Sequence, residues 1–269
     1  MKLALIVPAA GASRRYGDAG GLRSKLDEDL GGRPVLQRTI ELFVKHESVG
    51  PLLGTIIVAG PHDPEAFGEF KEKYGDRLAL MGCTICRGGV THRYETVKAA
   101  LEKVLPEDTH IAIHDAARPC TPPELIDRVV QLAERHAAVI PALEVTDTLK
   151  RVQTTDEPEF EDDPVARILG TSPKEGPKVR VVESTVDRRG IFAAQTPQVF
   201  RADLLRRAYA QSDLTSTDDA GLVERLGERV VVVEGDARNL KITHPGDLSL
   251  ARAILGAKPP EERAVHKRF

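Results

Sequence analysis

The stretch Leu3-Ala4-Leu5-Ile6-Val7-Pro8-Ala9-Ala10-Gly11-Ala12-Ser13-Arg14-Arg15 decides the fold. A strand with one wet face alternates apolar and polar residues, whereas an unbroken apolar run reads as a strand covered on both faces. The run ends in a turn of small residues followed by two arginines. In an open α/β sheet, ligands sit beyond the carboxyl ends of the strands. Small residues there let backbone N–H groups approach a phosphate closely, and arginines add charge. The turn contains neither GxxxxGK[ST] nor GxGxxG, so it is not a P-loop or a dinucleotide fingerprint. By itself it reads equally well as a surface turn with solvated arginines. One lysine and so short an apolar run also fit a buried strand better than a signal peptide.

Working outward, the same kind of run recurs at Thr55–Ala59, Leu80–Cys86, Ile111–His114, Val139–Val145 and Val230–Glu234. Between them, helical periodicity predicts helices over Val35–His46, Pro64–Tyr74, Tyr94–Val104, Pro122–His136, Ala202–Ala210, Asp218–Leu226 and Pro245–Leu255. In the fourth of these, Leu125, Val129, Leu132 and Ala133 share one face, and Thr121 stands where an N-cap is expected. Alternating strands and helices imply an α/β domain, a mostly parallel twisted sheet with helices on both faces. Residues 146–186 interrupt the rhythm. Thr148–Gln153 and Val179–Val186 read as two strands of a projecting β-arm around a polar stretch, Thr154–Lys178. The expectation is one domain over 1–257, carrying this arm, and a charged tail over 258–269 that frays.

Composition narrows the function. With 41% hydrophobic and 29% charged residues, the chain has ample material for a core without staples. Its formal net charge of -3 does not suit a general nucleic-acid or membrane-surface binder. No apolar run approaches the ~18 residues of a membrane span. Three cysteines, an odd number, favour a reducing compartment, hence a cytoplasmic protein.

Further residue groups could carry chemistry. The fourth predicted strand ends in His114-Asp115-Ala116-Ala117-Arg118-Pro119. A carboxylate at the mouth of a sheet can hold a divalent cation that bridges phosphate oxygens; it can equally pair with Arg118. Further on stand Thr185-Val186-Asp187-Arg188, Gln195-Thr196-Pro197-Gln198, Ser216-Thr217-Asp218-Asp219-Ala220 and Glu234-Gly235-Asp236-Ala237-Arg238-Asn239-Leu240-Lys241-Ile242-Thr243. Thr217 is a plausible helix cap. Asn239 is the only asparagine in the chain.

Taken in order, AAGxxxR, Lys25, HDAARP, DTxKR, TVDR, QTPQ, TDxA and EGxxxNxKIT resemble the 2-C-methyl-D-erythritol 4-phosphate cytidylyltransferases over Leu3 to Leu255. The resemblance implies a Rossmann-like nucleotidyltransferase fold. It implies CMP transfer from CTP to a branched polyol phosphate in the non-mevalonate isoprenoid pathway, with Mg²⁺ or another divalent cation. It also implies a homodimer interlocked through the β-arm. It places Arg15 and Lys25 at the α-phosphate, and Ala10, Gly11, Gly88, Gly89, Arg93 and Thr96 around the cytidine. Asp115 becomes the metal-associated aspartate, with Arg118 and Thr217 in the substrate pocket. Thr148, Arg188 and Lys241 hold and aim the acceptor phosphate, Arg188 reaching across the dimer. Two other readings stay open: a cytidylyltransferase for another polyol phosphate such as ribitol 5-phosphate, and a catalytically silent nucleotide-binding scaffold.

The chemistry explains the wealth of cations. CTP and a phosphomonoester bring roughly six negative charges together, and close unit charges repel by about 4 kcal/mol at an effective dielectric of 20. The attacking phosphate is already ionised, so alignment and charge stabilisation matter more than a strong base. His114 accordingly reads as packed or hydrogen-bonded. Cys83-Thr84-Ile85-Cys86 is a CxxC on a strand, where positions i and i+3 face opposite ways, so it reads as buried small hydrophobes. Cys120 reads as a residue at the pocket edge, and Glu159–Asp163 as a solvated arm tip.

Overall fold

In the computed structural model the chain is described over residues 1–11, 14–21, 23–158 and 178–258, with backbone alone at 14, 15, 156–158 and 178. It divides into two compact units, Met1–Leu143 with Ala194–Phe269, and Glu144–Ala193. Elements follow in chain order: β1 (Leu3–Pro8), α1 (Arg14–Asp18), α2 (Val35–Val44), β2 (Leu53–Gly60), α3 (Pro64–Leu80), β3 (Cys83–Arg87), α4 (Arg93–Leu101), β4 (His110–Ile113), α5 (Pro123–Ala133) and β5 (Ala138–Glu144). The remainder are β6 (Leu149–Pro158), β7 (Lys178–Val186), β8 (Phe192–Ala194), β9 (Gln198–Arg201), α6 (Ala202–Tyr209), α7 (Ala220–Arg225), β10 (Val231–Glu234) and α8 (Pro245–Ile254).

The sheet of the larger unit runs β10-β5-β9-β4-β1-β2-β3. Its strands are parallel except β9, which lies antiparallel between β4 and β5. The mostly parallel sheet expected from sequence is therefore present. Alternate residues of β1 feed opposite faces, as the pleat requires. Leu3, Leu5 and Val7 join one buried cluster with residues of α2, α3, α5 and α8. Ala4 and Ile6 join the other, with residues of α4, α6 and α7.

Several sequence expectations need correction. The helix expected to stop at Tyr74 continues to Leu80, because Tyr74 and Leu78 keep the buried stripe going. Gly82, at φ 74°, ends it in the left-handed conformation that glycine adopts without strain. The strand expected from Leu80 consequently starts at Cys83. Strand β9 is not among the strands expected from sequence, where only the motif Gln195–Gln198 stands; four residues carry too little pattern to show it. Thr121 and Thr217 do not cap: Pro122 and Asp219 occupy the N-cap positions of α5 and α7.

In the smaller unit, β6 and β7 pair antiparallel, Leu149 opposite Val186 and Val152 opposite Val182. The first strand runs on to Pro158, into the stretch expected to be loop. The acidic run Glu159–Asp163 and the tail from residue 259 lie outside the described residues.

Candidate active site

Beyond the ends of β1 and β4 the larger unit opens a cavity of about 630 Å³. Pro8–Gly11 form one side, Gly89–Arg93 and Thr96 another, and Asp115–Ala117, Lys25, Lys241 and Thr243 complete it. A second pocket of about 300 Å³ contains Arg118, Gln195, Thr196, Gln198, Thr217 and Asp218. Arg93, Asp115 and Lys241 line both.

The wall at Gly88-Gly89 shows why glycine stands there. A Cβ on Gly88 would sit 2.7 Å from the carbonyl of Gly60 and 2.8 Å from Ala10 Cβ, and one on Gly89 would sit 2.1 Å from Glu95 Cβ. Gly88 N–H donates to that Gly60 carbonyl (2.8 Å), and Gly89 N–H to Thr96 Oγ1 (3.0 Å). Thus β2, β3 and the start of α4 close against the turn after β1. Opposite, Lys25 begins a 3-10 turn over Lys25–Asp27, and its Nζ donates to the carbonyl of Ile242 (3.0 Å).

At the bottom lies Asp115, buried, with Lys241 Nζ at 2.8 Å, Arg118 Nε at 3.3 Å and Arg93 Nε at 3.5 Å. Burial alone raises a carboxyl pKa, but these three cations outweigh it and hold Asp115 well below the usual carboxylate range. Of the two sequence readings of Asp115, the pairing with Arg118 is the one observed. Asp115 is the one acidic residue, among those described, lining the larger cavity. Across the two pockets Lys25, Lys241, Arg93 and Arg118 outnumber Asp115, Asp218 and the buried Asp219 by one charge, and the larger cavity alone sets Lys25, Lys241 and Arg93 against Asp115, an arrangement suited to a polyanion.

The floor is fixed by a buried network that sequence reasoning left without a role. Thr121 Oγ1 donates to Asn239 Oδ1 (2.8 Å), and Asn239 Nδ2 donates to the Thr196 carbonyl (2.8 Å) and to Gln195 Oε1 (3.2 Å). Arg118 donates to the Asn239 carbonyl (2.6 Å), and Asp115 N–H to Thr196 Oγ1 (3.0 Å). The lone asparagine thereby ties together the segments that carry Arg118, Thr196 and Lys241. Its uniqueness in the chain was the available signal. His114 is packed, not a base: burial pushes its pKa down to about 4, and its ring nitrogens face Arg118 O and Thr196 Oγ1, each at 3.2 Å.

Of the residues singled out from sequence, the structure brings Ala10, Gly11, Lys25, Gly89, Arg93, Thr96, Asp115 and Lys241 to the larger cavity, with Gly88 forming its wall. Arg118 and Thr217 line the adjoining pocket. Arg15 lies on α1, its side chain outside the described part. Thr148 and Arg188 belong to the smaller unit, where both are exposed and where Asp187 pairs with Arg189 (2.6 Å). Cys83 and Cys86 pack on opposite faces of the sheet, as expected, and burial raises both thiols. Cys120 is not at the pocket edge; it is buried in the core, its Sγ 3.7 Å from the carbonyl of Ala251.

Comparison with known proteins agrees with this arrangement. Residues 3–158 and 171–257 match the family described as 2-C-methyl-D-erythritol 4-phosphate cytidylyltransferase. The enzyme of that name from Rhodococcus jostii is 40% identical over 251 residues, 93% of each chain. The one from Frankia casuarinae is 37% identical over 264 residues, covering 98% of this chain and 85% of its own. The crystal structure of 2-C-methyl-D-erythritol 4-phosphate cytidylyltransferase from Thermus thermophilus superposes with a TM-score of 0.64 at 31% identity, covering 96% of this chain and all of the other. Sequence relatives and a solved fold coincide over nearly the whole length, and the motif residues of the larger unit gather at two adjoining pockets. On that agreement, this chain belongs to the 2-C-methyl-D-erythritol 4-phosphate cytidylyltransferase family.

Proposed function

We propose that the two adjoining pockets divide the reaction between them, the larger taking CTP and the smaller the acceptor. The chain is a nucleotidyltransferase: it transfers CMP from CTP to 2-C-methyl-D-erythritol 4-phosphate in isoprenoid biosynthesis, giving the cytidine diphosphate alcohol and pyrophosphate. The observation that supports this division is the sharing of Arg93, Asp115 and Lys241 by both pockets, which puts cations where two phosphates must meet.

In this reading the Ala9–Gly11 turn and the Gly88–Thr96 segment hold the nucleoside through backbone groups, and Arg15 and Lys25 draw charge from the α-phosphate. Lys241, Arg118, Thr148, Thr217 and Arg188 aim the acceptor phosphate. One of its oxygens attacks the α-phosphorus as the bond to pyrophosphate breaks, in line. Cations fixed beforehand lower the barrier, because the charge they meet is greatest in the transition state.

A divalent cation fits the donor set. Mg²⁺ is commonly bound by one or two carboxylates plus substrate phosphates, and the larger cavity offers a single carboxylate, Asp115. Among the described residues there is no cluster of three His, Cys, Asp or Glu that would hold a metal alone. Such an ion would enter with the triphosphate, held by Asp115, and neutralise phosphate charge. No described helix is long and apolar enough to cross a membrane. We further infer a cytoplasmic homodimer, in which Arg188 serves the neighbouring site. The test of the assignment is pyrophosphate release with CTP, UTP, ATP and GTP against a panel of polyol phosphates. CTP with 2-C-methyl-D-erythritol 4-phosphate should dominate; comparable turnover with UTP or ATP, or with ribitol 5-phosphate, would overturn it.

A further inference from the structure

Asp219 is almost wholly buried at the N-cap of α7, yet its side chain makes no capping bond. Aspartate at this position ordinarily accepts from the first free N–H groups of its helix. Here neighbours take over that duty: Gln198 Oε1 accepts from Ala220 N–H (3.2 Å), and Asp218 Oδ1 from Gly221 N–H (3.1 Å). Both oxygens of Asp219 are thereby released for other partners. Arg93 Nη1 donates to Oδ2 at 2.7 Å, and the Tyr209 hydroxyl donates to Oδ1 at 2.5 Å.

Arg93 is the residue through which this arrangement reaches the cavities, since it lines both. It stands between two carboxylates, its Nη1 at 2.7 Å from Asp219 and its Nε at 3.5 Å from Asp115. The nearer contact is charge-assisted and in a dry setting, so it governs where the guanidinium rests. Without it, Arg93 would be drawn onto Asp115 and would compete there with Lys241 and Arg118.

We propose that Asp219 is a positioning residue of the reaction: it holds Arg93 between the two carboxylates, on the boundary shared by the nucleotide cavity and the acceptor pocket, so that Arg93 reaches Asp115 only at its longer 3.5 Å contact. Tyr209 fixes Asp219 in turn, from the last turn of α6. This rests on the division of pockets proposed above and adds a residue that does not itself line either of them.

The experiment is a double-mutant cycle on the full chain, with kcat and KM measured separately for CTP and for the acceptor. In Asp219→Asn the amide keeps the bond from Tyr209 but offers Arg93 a donor in place of an acceptor. It should lower kcat/KM by about 10–100-fold, the size of losing one charge-assisted contact in a site. Arg93→Ala should lose at least as much, and the double variant should fall no further than Arg93→Ala. Should Asp219→Asn fail to fold, as judged by a thermal melt, Asp219→Glu completes the cycle, since it keeps the charge but displaces it. Independent, multiplying losses would overturn the proposal, as would an Asp219 variant with the activity of the parent. Parent protein inactive with CTP would instead overturn the assignment of the cavity.

Discussion

The floor of the cavity and the β-arm treat their polar residues in opposite ways. On the floor every predicted cation has a partner within its own unit: Asp115 gathers Lys241, Arg118 and Arg93, and Asn239 fastens the segments beneath. On the arm, Thr148 and Arg188 are exposed, and so are apolar residues, Val152 at 49%, Val181 at 47% and Val182 at 55%. A two-stranded ribbon with such a surface is marginally stable alone in water. The difference separates residues fixed by contacts within their own unit from residues left exposed on theirs.

The sharpest break would come at Lys25, which reaches the cavity from a 3-10 turn and is tied to Ile242 O. Lys25→Ala should lower kcat by about 10²–10⁴ while changing CTP affinity less, because a cation at the α-phosphate meets most charge in the transition state. Single-turnover kinetics with labelled CTP separate the two quantities. Near-parent kcat would hand the role to another cation and weaken the contrast between floor and arm.

Complementation tests the arm. Arg188→Ala chains and Lys25→Ala chains should each be inactive, and a mixture that exchanges subunits should regain activity. Random pairing makes half the dimers mixed, each with one intact site, so recovery of about a quarter of parent activity is expected. A mixture shown to exchange yet no more active than its components would place Arg188 in its own chain's site.

Acid probes the floor. The folded pKa of His114, about 4, lies below the 6.5 of an ordinary histidine, so the unfolded chain binds the extra proton in that window. Stability should therefore be complete above about pH 6.5 and fall by about 3 kcal/mol as pH drops towards 4. His110 is shifted the same way by burial and adds to the slope. Asp115, with its depressed carboxyl, gives up its share only at still lower pH. Urea unfolding at pH 7 and pH 4.5 measures the loss, and His114→Asn should remove its larger part; an unchanged slope in that variant would refute the assignment.

The smallest effect is expected at Asn239. Asn239→Ala removes one bond each from Thr121 Oγ1, Gln195 Oε1 and the Thr196 carbonyl, while Thr121 keeps the Arg118 carbonyl and Gln195 keeps Asp236 N–H, a loss of about 2 kcal/mol of stability. Arg118 keeps its bond, which is to the backbone carbonyl. Turnover should thus fall only several-fold at a temperature where the variant stays folded. A loss as large as that of Lys25→Ala would mean that Asn239 itself meets substrate.

Sequence by itself determined the alternation of strands and helices, the two-faced burial of β1 and the gathering of motif residues at strand ends. Those features rest on local periodicity and on where small residues permit a close backbone approach. The convergence of Lys25, Asp115 and Lys241 was legible through the family resemblance, since Lys25 follows helix α1 rather than a strand and periodicity does not place it. Tertiary structure alone decided the rest. The short antiparallel β9 is set by its neighbours β4 and β5, and its four residues carry no periodicity of their own. Thr121 forgoes its cap for Asn239, and Asp219 forgoes its cap for Arg93 and Tyr209, because a buried polar group takes whichever partner the packing brings nearest. The bonds Thr121–Asn239 and Arg93–Asp219 join residues more than a hundred positions apart, and no pattern along the chain records them.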